Sequence, residues 1–331
     1  MGELSSNRGR IAVLAPSPLL TVTIEAGDEK GPEVHFHGGG QGVWVARMAG
    51  LLGAEVILCV ALAGESGEVL RALLPAERVE VRSVSAHGRS SSYVHDRRSG
   101  VREVIAATEG PRLWRHETDD LYGEMLTAAL ESDLAMLTGP QPPDAVSADV
   151  YRRLTTDLRA NGKTVVADLT DGALEGALEG EVDLLKISDE ELMREGLADG
   201  DDPDQLLAGV LRLREAGARN VLLSRATRPT YALVGERLYE VIAPRLESRD
   251  ATGTGDSMFA ALGVALAGGH SLIDAMKLGA AAGTLNATRS GLGTGNPLDI
   301  ERMLDHVRVR ELDGLEDAAV GATDIAAEPQ P

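Results

Sequence analysis

The stretch Asp250-Ala251-Thr252-Gly253-Thr254-Gly255-Asp256, running into Ser257-Met258-Phe259-Ala260-Ala261-Leu262, places a glycine-rich turn and two carboxylates directly before an apolar helix. The first N–H groups of a helix have no intrahelical partner and carry the positive end of its dipole. Glycine lets an anion approach that backbone without meeting a Cβ. Asp256, at the join, stands where it can take a proton from an attacking hydroxyl. An anion cradle with a base beside it suits phosphoryl transfer from a nucleotide to an alcohol. The plainer alternative is a turn whose Asp256 only caps the helix. A second carboxylate, Asp250, and a helix that runs on to Gly268-Gly269 weigh against it.

A second turn, Gly38-Gly39-Gly40-Gln41-Gly42, joins an alternating strand to an apolar helix over Val43 to Leu52. It lacks the spacing of a dinucleotide fingerprint, and the chain has no Gly-x-x-x-x-Gly-Lys-Ser/Thr phosphate loop. Taken alone it is a strand-to-helix turn that needs glycine.

The elements that must position these turns alternate. Strands are expected at Arg10 to Leu14, Glu55 to Val60, Leu134 to Leu137, Thr164 to Asp168, Asp183 to Lys186 and Asn220 to Ser224. Helical stretches at 67–74, 148–161 and 204–216 separate some of them, and a long helix runs from Ile273 to Arg289. This rhythm predicts an α/β fold, a doubly wound, mostly parallel sheet with helices on both faces. Two hairpin patterns interrupt it, Thr21 to Glu25 with Glu33 to His37, and Ser91 to Asp96 with Val101 to Ala106. They are expected to leave the main sheet as a small β lid, over 21–37 and 91–106. After Leu312 the chain turns to Asp, Glu, Ala and Pro, and a disordered tail over 313–331 is expected.

Over roughly Arg10 to Leu312 the chain resembles the ribokinase-like (PfkB) carbohydrate kinases. Residues 250–256 resemble that family's second signature, Asp-Thr-x-Gly-Ala-Gly-Asp, with Ala251 and Thr254 as departures. Gly39-Gly40-Gln41-Gly42-Val43-Trp44-Val45-Ala46 resembles its first signature, Gly-Gly-Lys-Gly-x-Asn-x-Ala, with Gln41 and Trp44 replacing the Lys and Asn. Asp168 to Leu174, Leu184 to Leu192, Glu109-Gly110-Pro111 and Thr138 to Pro143 look like the phosphofructokinase and tagatose-6-phosphate kinase branch. The resemblance implies that Asp256 is the catalytic base and that Gly253, Thr254 and Gly255 form the anion hole. It places Asp250, Gly39, Gly40, Gln41 and Trp44 at the acceptor, and Ser188, Ser224 and Arg228 at ATP. Glu191 would hold water around nucleotide-bound Mg2+. A homodimer built through the lid is also implied.

Departures cluster at the acceptor. Leu19 stands where an Asp usually holds sugar hydroxyls, Ser91 where the lid usually carries a cation, and Pro140 where a Ser is usual. The nucleotide loop, usually Ser-x-Gly-x-x-Gly, reads Ser224-Arg225-Ala226-Thr227-Arg228-Pro229. The expected activity is ATP-dependent phosphorylation of a hydroxyl on a small sugar, sugar phosphate or sugar-like molecule, with a non-catalytic ligand- or nucleotide-binding relative as the alternative. Arg47 and Arg89 are the candidate cations should the acceptor carry a phosphate.

Composition bounds the rest. A net charge of −20 over 331 residues disfavours nucleic-acid and anionic-membrane partners. With aromatics at 3%, the core must be built from Ala, Val, Leu and Ile. The single cysteine, Cys59, lies in the apolar run 56–62 and reads as an inert core thiol in a reducing, cytoplasmic compartment. No leader-like or bilayer-spanning run is evident. His35 and His37 alternate on one strand; without a third ligand nearby they read as lid surface or pocket wall rather than a metal site. Asp119-Asp120 and Asp201-Asp202 read as solvated helix starts, Arg97-Arg98 as a hairpin turn, and Trp114 as packing.

Overall fold

The computed structural model describes residues 9–27, 31–247, 252–288 and 293–312. In chain order its first elements are β1 (Arg10–Ala15), β2 (Leu19–Glu25), β3 (Glu33–Gly39), α1 (Gln41–Leu51), β4 (Glu55–Ala63), α2 (Gly64–Leu73), β5 (Glu80–Ala86), β6 (Ser91–Asp96) and β7 (Glu103–Thr108). There follow α3 (Arg115–Leu130), β8 (Leu134–Thr138), α4 (Ala148–Ala160), β9 (Thr164–Asp168), α5 (Asp171–Glu179), β10 (Leu184–Ser188), α6 (Asp189–Arg194) and α7 (Pro203–Glu215). The last are β11 (Asn220–Ser224), β12 (Thr230–Val234), β13 (Arg237–Ile242), α8 (Thr254–Ala267), α9 (Leu272–Ala287), α10 (Pro297–Leu304) and β14 (Arg308–Leu312).

Ten strands form one sheet in the order β14-β13-β12-β11-β10-β9-β8-β1-β4-β5. Pairing is parallel from β5 to β11 and antiparallel from β11 to β14. The inner strands are buried on both faces, as strands sandwiched between helices must be. Their side chains divide by the two-residue period. Val56, Leu58, Val60 and Leu62 join a core with Val43, Phe259 and Ala275 of α1, α8 and α9. Ile57, Cys59 and Ala61 join a second core with Leu121, Tyr151 and Leu174 of α3, α4 and α5. Cys59 is buried as expected, and that burial pushes its thiol up to about 12.

Both hairpins form, and they are one sheet rather than two. β2 and β6 pair in parallel, giving the order β3-β2-β6-β7. The base of one lid face is covered by the body: Leu20 lies in the core and Val22 packs against it, and Gly38 faces Leu70 and Leu74 at the end of α2. Asp119 and Asp120 are not a helix start. They lie inside α3, where Asp119 faces Arg115 and Arg153. Asp202 does cap α7, accepting from the N–H groups of Asp204 and Gln205.

Candidate active site

The strand order reverses on either side of β1, where the chain first builds toward β5 and later resumes at β8. In open α/β sheets, ligands bind outside the carboxyl ends of the strands at such a switch point. The two glycine turns converge there. Gly40, at φ 96, begins α1 in a conformation that suits glycine. Two residues on, a Cβ at Gly42 would lie 2.4 Å from that of Ala15, so α1 can seat on β1 only with glycine there. Gln41 then spans two strand ends. Its Oε1 accepts from the Gly139 N–H (3.0 Å) after β8, and its Nε2 donates to the Asp168 carbonyl (3.3 Å) ending β9.

From Asp168 the polar groups run across the strand ends to α8. Buried Lys186 on β10 places Nζ 3.0 Å from Asp168 Oδ2 and 4.0 Å from Glu191 Oε2. The same Nζ lies 2.9 Å from where a Cβ of Gly255 would be. The glycine is therefore required by a buried ammonium as much as by an incoming anion. Gly253, at φ 77, makes the turn, and its carbonyl takes the first helical bond, from Ser257 N–H at 2.9 Å. The N–H groups of Thr254, Gly255 and Asp256 precede that bond and remain for an anion. Gly253 thus shapes the cradle, while Thr254 and Gly255 supply donors. Among the described residues no side chain caps this helix, so the reading of Asp256 as a simple cap gains no support. α9 backs the first turn closely: a Cβ at Gly283 would sit 3.1 Å from the Thr254 carbonyl oxygen.

Electrostatics separates the four ionisable groups. Burial, reinforced by the charges of Asp168 and Glu191 and opposed by Lys186, pushes Asp256 up to about 7. That is suitable for a group that must accept a proton near neutrality. Burial works against the Lys186 charge, yet Asp168, Glu191 and Asp256 outweigh it and hold the ammonium protonated. Burial also opposes the Glu191 charge, but Lys186 and the Ser188 bonds keep its carboxyl below the usual range. Neither Asp168 nor Lys186 was singled out as a site residue from the sequence. The signal was available only in space, since a Lys and an Asp on adjacent parallel strands are 18 residues apart.

Other expected site residues have partners within the chain. Ser188 and Glu191 form a reciprocal cap on α6: Glu191 N–H donates to Ser188 Oγ (3.2 Å), and Ser188 N–H and Oγ donate to Glu191 Oε2 (2.8 and 2.7 Å). Ser224 Oγ leans on the Ile187 carbonyl at 3.4 Å. Arg228 is ion-paired with Asp201 at 2.6 Å. Arg47 is held by Glu77 (2.7 Å) and the Gly38 carbonyl (2.8 Å), and Arg89 pairs with Glu65 at 3.3 Å. Trp44 is half-buried beside the first turn, its Nε1 3.4 Å from where a Gly39 Cβ would be. Leu19 and Ser91 are buried opposite each other at the lid base, with Gly39 across from Leu19. Asp250 lies outside the described residues, as does the tail 313–331. Trp114 does not pack inward; it stacks on His87 at 3.9 Å while remaining largely exposed. Arg97 makes the expected turn, its carbonyl accepting from Gly100 N–H.

The loop 224–229, expected at the nucleotide, has no glycine yet adopts a glycine-like backbone. Ala226 has φ 40, and Arg228 N–H closes a turn on the Arg225 carbonyl. A left-handed alanine is strained by about 1 kcal/mol or more. Ala226→Gly should relieve this, less the entropy that glycine returns to the unfolded chain, for a net gain of about 0.5–1 kcal/mol. A shift of the urea midpoint to higher concentration would show it.

The comparisons agree with this geometry. The profile of the pfkB family carbohydrate kinases matches residues 18–299. ATP-dependent 6-phosphofructokinase isozyme 2 of Mycobacterium tuberculosis is 28% identical over 306 residues, covering 89% of each chain. The isozyme 2 of Escherichia coli K12 is 27% identical over 260 residues, covering 77% of this chain and 83% of its own. Among solved structures, phosphofructokinase-2 from Escherichia coli in complex with potassium superposes with a TM-score of 0.78 at 25% identity, over 90% of this chain and 98% of that one. A possible 1-phosphofructokinase from Thermotoga maritima gives 0.79 at 17% identity, over 92% of this chain and 100% of that one, and so shares the fold. With two glycine turns meeting at the switch point of a doubly wound sheet, and a family match over most of its length, this chain belongs to the pfkB family of carbohydrate kinases.

Proposed function

We propose that the protein transfers the γ-phosphoryl group of ATP to a hydroxyl of a small sugar or sugar-like acceptor, with Asp256 as the base. The observation that carries this is the Asp256 carboxylate on the first turn of α8, beside free helical N–H groups and the Lys186 ammonium. The acceptor oxygen attacks the γ-phosphorus; its O–H proton passes to Asp256, the new O–P bond forms, and the bond to the β–γ bridging oxygen breaks to release ADP. The N–H groups of Thr254 and Gly255 and the Lys186 charge meet the negative charge on the phosphoryl oxygens. Glu191 directs Oε2 at Ser188 and leaves Oε1 to order water, which suits it to the hydration shell of a nucleotide-bound Mg2+. That ion, when bound, neutralises phosphate charge. Asp256 argues against a non-catalytic relative, because binding an anion has no use for a buried carboxylate raised to about 7 beside the cradle.

The acceptor pocket argues against a hexose phosphate. Charge-assisted contacts are the strong ones for phosphate, and Leu19, Gln41, Trp44, Ser91 and Pro140 offer none. Arg47 is tied to Glu77. Acceptor-dependent ADP release from ATP tests both statements. Release is expected with at least one polyol, sugar or glycoside, with fructose 6-phosphate a poor acceptor. Efficient turnover of fructose 6-phosphate would put a phosphate site where none is expected, with Arg89 the first residue to examine.

The lid also supports a homodimer. Phe36, Val22, Val94 and Ala106 lie in one row across the four strands, with Val34 beside them on the same face. Val34 and Phe36 are more than half exposed at 54% and 53%. Such a face invites pairing. One solved form of the Escherichia coli phosphofructokinase-2 is described as tetrameric. Light scattering at micromolar concentration should give a dimeric mass for the native chain and a monomeric one for Val34→Asp with Phe36→Asp. A dimer indifferent to both changes would remove the lid from the interface. Among the described residues no helix is long and apolar enough to cross a membrane.

A further inference from the structure

The lid face opposite the apolar row is built differently. Thr21 lies across from His37 on one side and Tyr93 on the other, and Thr23 across from His35 and His95. These two rows stand above the base row of Gly39, Leu19 and Ser91. A Cβ at Gly39 would point at Thr21 Oγ1 (3.2 Å) and Trp44 Nε1 (3.4 Å), whereas one at neighbouring Gly38 would point at Leu74. The ring-bearing face is therefore turned toward Trp44 and the acceptor turn, and the apolar one away. The chain has two Trp, five Tyr, two Phe and seven His in all. One Trp, one Tyr and three His lie on or beside this face, with His35 next to His37 and Tyr93 next to His95; the other ring cluster, Trp114 with His87 and His116, lies away from the lid at the start of α3.

Two of the imidazoles sit where the charged form is disfavoured. Burial, followed by Arg47, lowers the His37 pKa, and burial, followed by Arg102 and Arg97, lowers that of His95. Three guanidiniums attached to this sheet face carboxylates, Arg47 at Glu77 with a bond to the Gly38 carbonyl, Arg98 at Asp96 and Arg97 toward Glu25, whereas Arg102 lies across the His95 imidazole at 2.8 Å. Arg102, whose partner is an imidazole rather than a carboxylate, stands at the Thr23–His95 row, the farther of the two from the base row beside Trp44. A flat unsaturated ring would find faces to stack on.

Resting on the kinase reading above, we propose that the acceptor is an uncharged glycoside bearing a planar ring, of which a ribonucleoside is the simplest example, held with its ring against Trp44 and the Tyr93–His37 row. The hydroxyl to be phosphorylated then lies on the side of Gln41 and Asp256.

The test uses the full chain with Trp114→Phe, which leaves Trp44 as the only indole. Ribonucleosides and phenyl glycosides are compared with ribose, glucose and fructose 6-phosphate, by ADP release and by Trp44 fluorescence. The ring-bearing acceptors should show kcat/KM at least tenfold above their ring-free counterparts and should quench Trp44. The nucleoside and phenyl arms distinguish a base from a simple aryl group. Trp44→Ala should raise KM for ring-bearing acceptors at least tenfold with kcat changed much less, and Trp44→Phe should recover most of the loss. Preference for fructose 6-phosphate, or an equal effect of Trp44→Ala on all acceptors, overturns this proposal and leaves the kinase standing. No acceptor-dependent ADP release from any compound, in a folded protein that binds ATP, overturns both.

Discussion

Asp256→Asn is expected to lower kcat by about 10²–10⁴ while changing ATP binding by less than a few-fold. The amide keeps the shape and the helix but cannot take the proton. The native enzyme should gain activity as pH rises through about 7, because only the ionised carboxylate is a base. Stability should move the other way. An ordinary aspartate titrates near 3.9, so between that pH and about 7 the folded chain holds a proton that the unfolded chain releases. Raising the pH through this window therefore costs folding stability. The thermal midpoint of the native protein should fall between pH 6 and pH 8, and fall less in Asp256→Asn, which cannot ionise. A variant with near-native kcat, or a native rate flat across this range, would remove Asp256 from the role of base.

The second large effect is expected at Lys186. Lys186→Met leaves Asp168, Glu191 and Asp256 facing one another without their shared cation. Removing one partner from a buried ion pair typically costs about 3–5 kcal/mol. Turnover should also fall by about 10²–10³, the usual loss when one preorganised electrostatic group is deleted. The two effects can be separated. Lowering the pH to 6 lets the orphaned carboxylates take up protons and should restore part of the stability but none of the rate. Adding Asp168→Asn should do the same. Recovery of turnover in the double variant would show that Lys186 serves the fold alone.

Much of this was legible in the sequence. The alternation of aliphatic strands and helices gave the doubly wound sheet, and the two hairpin patterns gave the lid strands to within about two residues. The glycine turns were found because close approach leaves a composition signature. What stayed hidden depends on pairing across space. Nothing in Leu19 to Glu25 and Ser91 to Asp96 announces that they pair in parallel, yet that pairing makes one lid with two distinct faces. Lys186 read as part of a strand because its partners come from a neighbouring strand and from α8. Asp119 and Asp120 were misplaced because α3 begins without a side-chain oxygen at its start. Trp114 occupies that position, and Glu117 accepts from its N–H instead. The Ala226 turn was obscured because alanine does not advertise a left-handed backbone.

The close seating of α9 against the first turn of α8, at Gly283, has a consequence for how such an enzyme can diversify. The groups proposed to move the phosphoryl unit take their positions from helix and strand packing deep in the body. Those proposed to select the acceptor project from lid strands and one turn of α1, where fewer neighbours must readjust. A larger residue at Gly283 would then slow transfer to every acceptor alike, whereas exchanges at Trp44 or Tyr93 would change which acceptor is held, through KM, and leave kcat much less affected. On the proposed roles, transfer and acceptor choice rest on different elements, so the second can be altered in the lid without disturbing the helix packing that holds the first.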